Sequence, residues 1–280
     1  MLRALSLLAL CTLLATTAGD ARAQQRLTLD AIHASNTFSQ QGFQGGRWAE
    51  SGPVVTYVEK TDDGTDLVSY NIETDRRDVL IDGSDLIAPD TGEKIAIEDY
   101  AYGMDGDRVL LYTDSERVWR LNTKGYYYVL DLSTGDVMPL ADRSKGFQMF
   151  AKLSPDGQRA AFVRDRNLFV VDLSTGAETA LTTDGAEGTI INGTSDWVYE
   201  EEFGLRDGWR WSPDGRYAAF VQLDETNVRD FAMTDLRGQY PTYERFRYPK
   251  AGEANSEIRV GVVDVTQPNP TPRFFDTDTW

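Results

Sequence analysis

Cysteine and histidine are almost missing from this chain, with one of each in 280 residues. Cys11 lies in an apolar N-terminal run, so the rest of the protein has no thiol for a disulfide or a soft metal site. The lone His33 stands near the N-terminus with no nucleophile motif around it, and we read it as structural. No Gly-x-Ser-x-Gly pentapeptide occurs, so a serine nucleophile on a tight elbow with its histidine cannot be assembled from these residues. No metal or other cofactor is expected. Basic residues are also scarce: 28 Lys and Arg face 45 Asp and Glu, a formal charge of −17. Such a surface argues against nucleic acid, whose phosphates demand cations, and against docking on anionic lipid.

Long apolar runs are absent too, apart from Leu5 to Ala18, which is short for a membrane span. Arg3 precedes that run and Ala21-Arg22-Ala23 follows it as a small-x-small cleavage site. Residues 1–23 are therefore expected to be a signal peptide, and Cys11 would leave with it. Leu10 stands where a lipoprotein signal needs a small residue. The mature chain, 24–280, is expected to be exported, periplasmic or secreted, with no membrane span. Hydrophobic residues at 41% and charged residues at 26% suit a folded soluble protein.

What is present is a repeat. Gly52, Gly106, Gly157 and Gly215 each precede a short β-rich run, such as Arg-Ala-Ala-Phe-Val after Gln158 and Tyr-Ala-Ala-Phe-Val after Arg216. Two copies carry a full turn signature, Ser154-Pro155-Asp156-Gly157 and Ser212-Pro213-Asp214-Gly215. Proline sets φ, aspartate caps the turn, and glycine takes the left-handed position. A second strand follows each run, at Leu67 to Ile72, Tyr126 to Leu132, Leu168 to Leu173 and Ile258 to Val265. Ser133-Thr134-Gly135 and Ser174-Thr175-Gly176 then read as hairpin turns. Short strands, tight turns and a period of about 50 residues read as blades of an all-β propeller. Ala160 to Val163 and Ala218 to Val221 lack polar alternation, as expected for strands covered on both faces. Four blades are counted, and the chain is expected to be part of a larger, eight-bladed propeller.

Two segments interrupt the repeat. Asp224 to Asn255 lengthens the fourth blade. Asp184 to Gly208 holds Asp196-Trp197-Val198-Tyr199-Glu200-Glu201-Glu202-Phe203, a short helical acidic insertion with Asp196 as its N-cap. Three adjacent carboxylates inside an aromatic frame repel one another, and more strongly where water is excluded. Such a cluster needs a cation to come to it. The plain alternative is a solvated acidic turn. Arg120, beside Trp119, has its own plain alternative as a strand-edge cation stacked on a ring.

The acidic segment, Trp211-Ser212-Pro213-Asp214-Gly215 and Tyr248-Pro249-Lys250-Ala251-Gly252 together resemble the propeller domain of the dipeptidyl peptidase IV family. Arg117-Val118-Trp119-Arg120 with Tyr126 to Leu132 is similar to that family's arginine-bearing blade. Leu27 to Ile32 and Gly45-Gly46-Arg47-Trp48 are similar to the start of bacterial members. The resemblance covers essentially all of the chain after residue 23. It implies a serine peptidase that releases N-terminal dipeptides with Pro or Ala second. Glu201 and Glu202 would grip the free α-ammonium of the peptide, and Arg120 would contact its backbone carbonyl oxygen. An acetylated terminus would leave both carboxylates unpaired. Glu200 would be structural, and Tyr248 and Lys250 packing or subunit contacts. The catalytic α/β-hydrolase domain is missing here and would follow Trp280, so this chain alone should be inactive. The resemblance also implies a homodimer for the complete enzyme, partly through Asp224 to Asn255. Two other readings stay open: a non-catalytic periplasmic β-propeller that binds proteins as a scaffold, and an inactive relative of the peptidases.

Overall fold

A computed structural model describes residues 27–39, 45–49, 52–104 and 106–276. The expected signal peptide, with Arg3, Cys11 and the Ala21-Arg22-Ala23 site, lies outside the described residues. Two units divide the chain, Met1–Gln44 and Gly45–Trp280. In the first, helix α1 (Leu29–His33) is capped by Thr28, whose hydroxyl accepts the Ala31 N–H at 3.1 Å, and His33 closes its last turn. Among the described residues no helix is long and apolar enough to cross a membrane.

The second unit is a run of antiparallel β-sheets. The first comprises β1 (Arg47–Trp48), β2 (Val54–Lys60), β3 (Thr65–Asn71) and β4 (Arg76–Ile81), paired in that order. The second comprises β5 (Asp99–Tyr102), β6 (Arg108–Arg117), β7 (Asn122–Asp131) and β8 (Val137–Pro139), and the third β9 (Gln148–Leu153), β10 (Arg159–Arg164), β11 (Asn167–Asp172) and β12 (Glu178–Ala180). The fourth starts with β13 (Ile190–Asn192), helix α2 (Trp197–Phe203), β14 (Trp209–Trp211) and β15 (Tyr217–Asp224). A separate hairpin follows, β16 (Asp230–Asp235) and β17 (Thr242–Arg247), and then β18 (Glu257–Asp264) and β19 (Arg273–Phe274) close the blade. These are four blades of a β-propeller that does not close on itself within the described residues.

Turn chemistry sets the strand ends. Asp131 accepts from the Ser133 N–H at 2.9 Å and the Ser133 hydroxyl at 2.6 Å, and Asp172 repeats both bonds with Ser174. Gly157 and Gly215 both sit at φ +67°, which any Cβ would make costly. Ser154 and Ser212 take the backbone N–H five residues on, at 3.0 and 2.9 Å.

The apolar core is split into three layers between blades. Leu67, Tyr100, Val109, Leu111, Tyr128 and Leu130 fill the first. Leu110, Val129, Ala160, Phe162 and Val171 fill the second. Ala161, Val163, Leu168, Trp209, Phe220 and Val263 fill the third. Neighbours along one strand thus face different layers, so β6 and β10 are apolar without alternation. In β15 one of the two faces is covered among the described residues. Ala218 and Phe220 are buried there, but Ala219 is exposed, because no further sheet covers that side among the described residues.

Two features depart from separate four-stranded blades. β9 also pairs with β7, through Lys124↔Met149 and Gly125↔Gln148, joining the second and third blades into one sheet. On its other side, a Cβ at Gly125 would lie 2.8 Å from the Thr113 carbonyl oxygen of β6, so glycine permits the close approach of β7 to β6 there. In the fourth blade the strand facing β15 is broken in two, β13 and β14. The acidic insertion therefore spans only 193–208, inside one strand position, rather than all of Asp184 to Gly208.

Candidate functional site

The acidic insertion leaves and re-enters the blade through a pinched neck. Gly193 N–H donates to the Val221 carbonyl at 2.9 Å, and Val221 N–H donates to the Gly208 carbonyl at 2.9 Å. Gly208 has no room for a side chain, since a Cβ would lie 2.6 Å from Val221 Cγ2 and 3.1 Å from the Gly193 carbonyl carbon. Lys152 Nζ, from β9 of the neighbouring blade, clamps the neck by an ion pair with Asp207 at 2.6 Å, and Arg210 pairs with the same carboxylate at 2.7 Å.

Above the neck stands α2. Asp196 caps it as expected, its carboxylate accepting the Tyr199 N–H at 2.9 Å, and its other oxygen takes the Ser256 hydroxyl. Gly204, at φ +65°, ends the helix by donating to the Glu200 carbonyl, and Leu205 donates to that of Tyr199. Seven residues suffice because both ends are capped.

On a helix, successive side chains fan out by about 100°, so three adjacent glutamates cannot share one direction. Glu200 turns inward. It is buried and meets Arg206 Nε at 3.3 Å. Burial pushes its carboxyl above the ordinary range, and Arg206 opposes this. Glu201 turns toward Arg120, which stands in the loop joining β6 to β7. Arg120 Nε donates to Glu201 Oε2 at 2.7 Å while Nη2 pairs with Oε1. The guanidinium thus spans both oxygens, and its hydrogen bond holds the Glu201 carboxyl below its usual value. The Glu201 side chain is 17% exposed and that of Arg120 is 73% exposed. Glu202 is exposed one step further round, and among the described residues its carboxylate makes no hydrogen bond or ion pair. The fold therefore joins Arg120 to Glu201 directly and sets Glu202 beside the pair. The trio carries one net negative charge open to solvent.

Aromatic rings surround this arrangement. Trp119, next to Arg120, lies 5.2 Å from Phe246 of β17, and Trp197 of α2 lies 4.5 Å edge-on from Tyr248. Tyr248 is thus in packing contact with the acidic helix. Sequence reasoning missed Lys152, Asp207, Ser256 and Phe246. Their partners are distant along the chain, 55 residues for Lys152–Asp207 and 60 for Ser256–Asp196, and no local pattern marks them. Among the described residues no group of three or more His, Cys, Asp or Glu is arranged to hold a metal ion.

The Lys152 clamp carries a pH signature. Burial pushes its ammonium down to about 8, despite Asp207. Between that value and the ordinary lysine range the unfolded chain binds more protons than the folded one. Stability from this group is therefore complete above the unfolded value and lost as pH falls through about 8. Wild type should gain on a Lys152→Met variant between pH 8 and pH 10, by at most about 3 kcal/mol. Paired denaturant titrations at the two pH values check this, and a gap that does not change with pH contradicts it.

Comparison with known proteins places the chain in a family. The family profile described as the dipeptidyl peptidase IV (DPP IV) N-terminal region matches residues 104–279. Prolyl endopeptidase FAP of Mus musculus is 30% identical over 273 residues, which is 96% of this chain and 34% of the relative. Dipeptidyl peptidase 4 of Trichophyton equinum is 31% identical over 225 residues, 78% of this chain and 28% of the relative. The crystal structure of Porphyromonas gingivalis dipeptidyl peptidase 4 superposes with a TM-score of 0.77 at 32% identity, covering 91% of this chain and 36% of that one. The chain spans about a third of the length of the relatives it matches.

Proposed function

The chain belongs to the dipeptidyl peptidase IV family, within its N-terminal region, and from that premise we propose that it anchors the amino end of a peptide for an exported serine dipeptidyl peptidase. The relatives are dipeptidyl peptidases and a prolyl endopeptidase. In this reading residues 1–23 direct export to the periplasm or medium. A hydrolase domain beyond these residues cleaves after the second residue, Pro or Ala. The complete enzyme works as a homodimer.

One observation carries the reading: Arg120 forks onto both oxygens of Glu201 while Glu202 stands exposed and uncompensated beside them. An α-ammonium offers three donors and one full charge. The outer lone pairs of Glu201 and the free carboxylate of Glu202 accept those donors, and the single net negative charge matches the single positive one. Arg120 prevents two adjacent carboxylates from repelling each other before substrate arrives, and its remaining N–H groups reach a peptide carbonyl oxygen. A group that binds only a chain end works as a ruler, fixing the scissile bond two residues away.

The test is hydrolysis of a Gly-Pro chromogenic amide by the full-length protein. Release of chromophore with intact Gly-Pro as the co-product is expected. Absence of turnover in folded full-length protein would refute the peptidase reading and favour a binding scaffold.

A further inference from the structure

Beneath Arg120 and α2 lies a cavity of about 740 Å³, lined among others by Trp119, Trp197, Glu200, Glu225, Phe246 and Arg247. The loop bearing Arg120 and the helix bearing Glu201 are therefore not pressed together by solid core. What crosses the gap is a chain of rings carried by the second insertion. Trp119 meets Phe246 at 5.2 Å, Phe246 meets Phe231 at 5.9 Å, Phe231 meets Tyr248 at 5.3 Å, and Tyr248 meets Trp197 at 4.5 Å. Among the described residues the β16–β17 hairpin pairs with no other strand, so backbone ladders do not set its place. Arg247 instead donates to the Val228 carbonyl at 2.8 Å, and Tyr248 N–H to the Arg229 carbonyl at 2.9 Å. Ser256, just past the insertion, holds the Asp196 cap of α2.

We infer that Phe246 and Tyr248 are positioning residues, which brace the Arg120 loop against the acidic helix at the separation where the guanidinium spans Glu201. The inference rests on the amino-end reading above and adds the hairpin to that site. An exposed arginine pays rotamer entropy to hold one geometry, and an exposed ion pair alone holds its partners weakly. Fixing Trp119 one residue away, and Trp197 four residues before Glu201, removes much of that freedom from both partners. Among the described residues no hydrogen bond joins these rings to either carboxylate, so their effect passes through geometry.

Kinetics of the full-length enzyme on a Gly-Pro amide test this. Phe246→Ala should raise KM about five- to tenfold with kcat changed less than about twofold, since only amino-end binding is loosened. Phe246→Leu, which keeps apolar bulk, should raise KM only about two- to threefold. Combined with Glu201→Gln, Phe246→Ala should add less than about twofold, because both act on one contact. The brace is overturned by a folded Phe246→Ala enzyme of unchanged KM, by a loss in kcat alone, or by full additivity. Should Phe246→Ala not fold, an unchanged KM in Phe246→Leu overturns it as well. A KM rise that disappears when protein concentration restores a lost dimer also overturns it. If Glu201→Gln itself leaves KM unaltered, the amino-end reading fails. If Glu201→Gln raises KM and Phe246→Ala does not, the brace alone fails.

Discussion

Glu201→Ala in the full-length protein should lower kcat/KM for a Gly-Pro amide by about a hundredfold, since a hydrogen bond to a charged group contributes about 1.5–3 kcal/mol and more than one is lost. The effect has two sources. The variant removes the more sheltered of the two carboxylates, and it leaves the Arg120 guanidinium facing the incoming ammonium without its ion-pair partner. Glu202→Ala should cost less, about tenfold, because its carboxylate is exposed and water screens it. The double variant should lose most discrimination between free and N-acetylated substrate. Wild type should refuse the acetylated peptide, which brings no charge to match the net negative charge left on the trio. Steady-state kinetics on the matched pair of substrates read both effects. A double variant with wild-type turnover and wild-type refusal of the acetylated peptide would remove these glutamates from the mechanism.

Trp209→Ala should destabilise the protein by about 3–5 kcal/mol, the usual cost of emptying a large aromatic site. Trp209 is 1% exposed and belongs to the layer between the third and fourth blades. Its indole N–H donates to the Phe150 carbonyl at 3.0 Å, and Lys152 Nζ sits 4.1 Å from its ring. Phe150 has φ +52°, so a left-handed backbone is held there by this bond among others. Alanine would remove the packing, leave a cavity and take one of two donors from the carbonyl, leaving it only Lys152 Nζ at 3.2 Å. Trp209→Phe keeps most of the volume and loses only the donor, so its cost should fall to about 1–2 kcal/mol. Because β14 begins directly after the neck of the acidic insertion, substrate affinity should fall along with stability. Guanidinium unfolding of the full-length variants measures the costs, and a Trp209→Ala loss below about 1 kcal/mol would show that the inter-blade layer does not depend on this ring.

The blades were legible because their signals are local. Ser-Pro-Asp-Gly and Asp-x-Ser-Thr-Gly fix a turn within six residues, and the observed bonds of Ser154, Asp131 and Asp172 lie inside such windows. Both insertions were legible as breaks in the period, and Asp196 as a cap. The three-residue strands β13 and β14 were not, since neither is long enough to show a pattern. The Lys152–Asp207 clamp and the Trp119–Phe246 contact were not either, because each joins segments brought near only by the packing of blades. The continuity of apolar residues in Ala218 to Val221 marks two apolar faces, of which the described residues cover one.

By itself the sequence determined the longer strands, their turns, the placement of an acidic helix and the type of residue that could meet an ammonium. Tertiary structure alone decided that Glu201 takes Arg120, that Glu200 is buried on Arg206 and that Glu202 is left open. Three identical neighbours acquire three different environments because a helix turns each one to a new direction, and only the packed surroundings say what waits there.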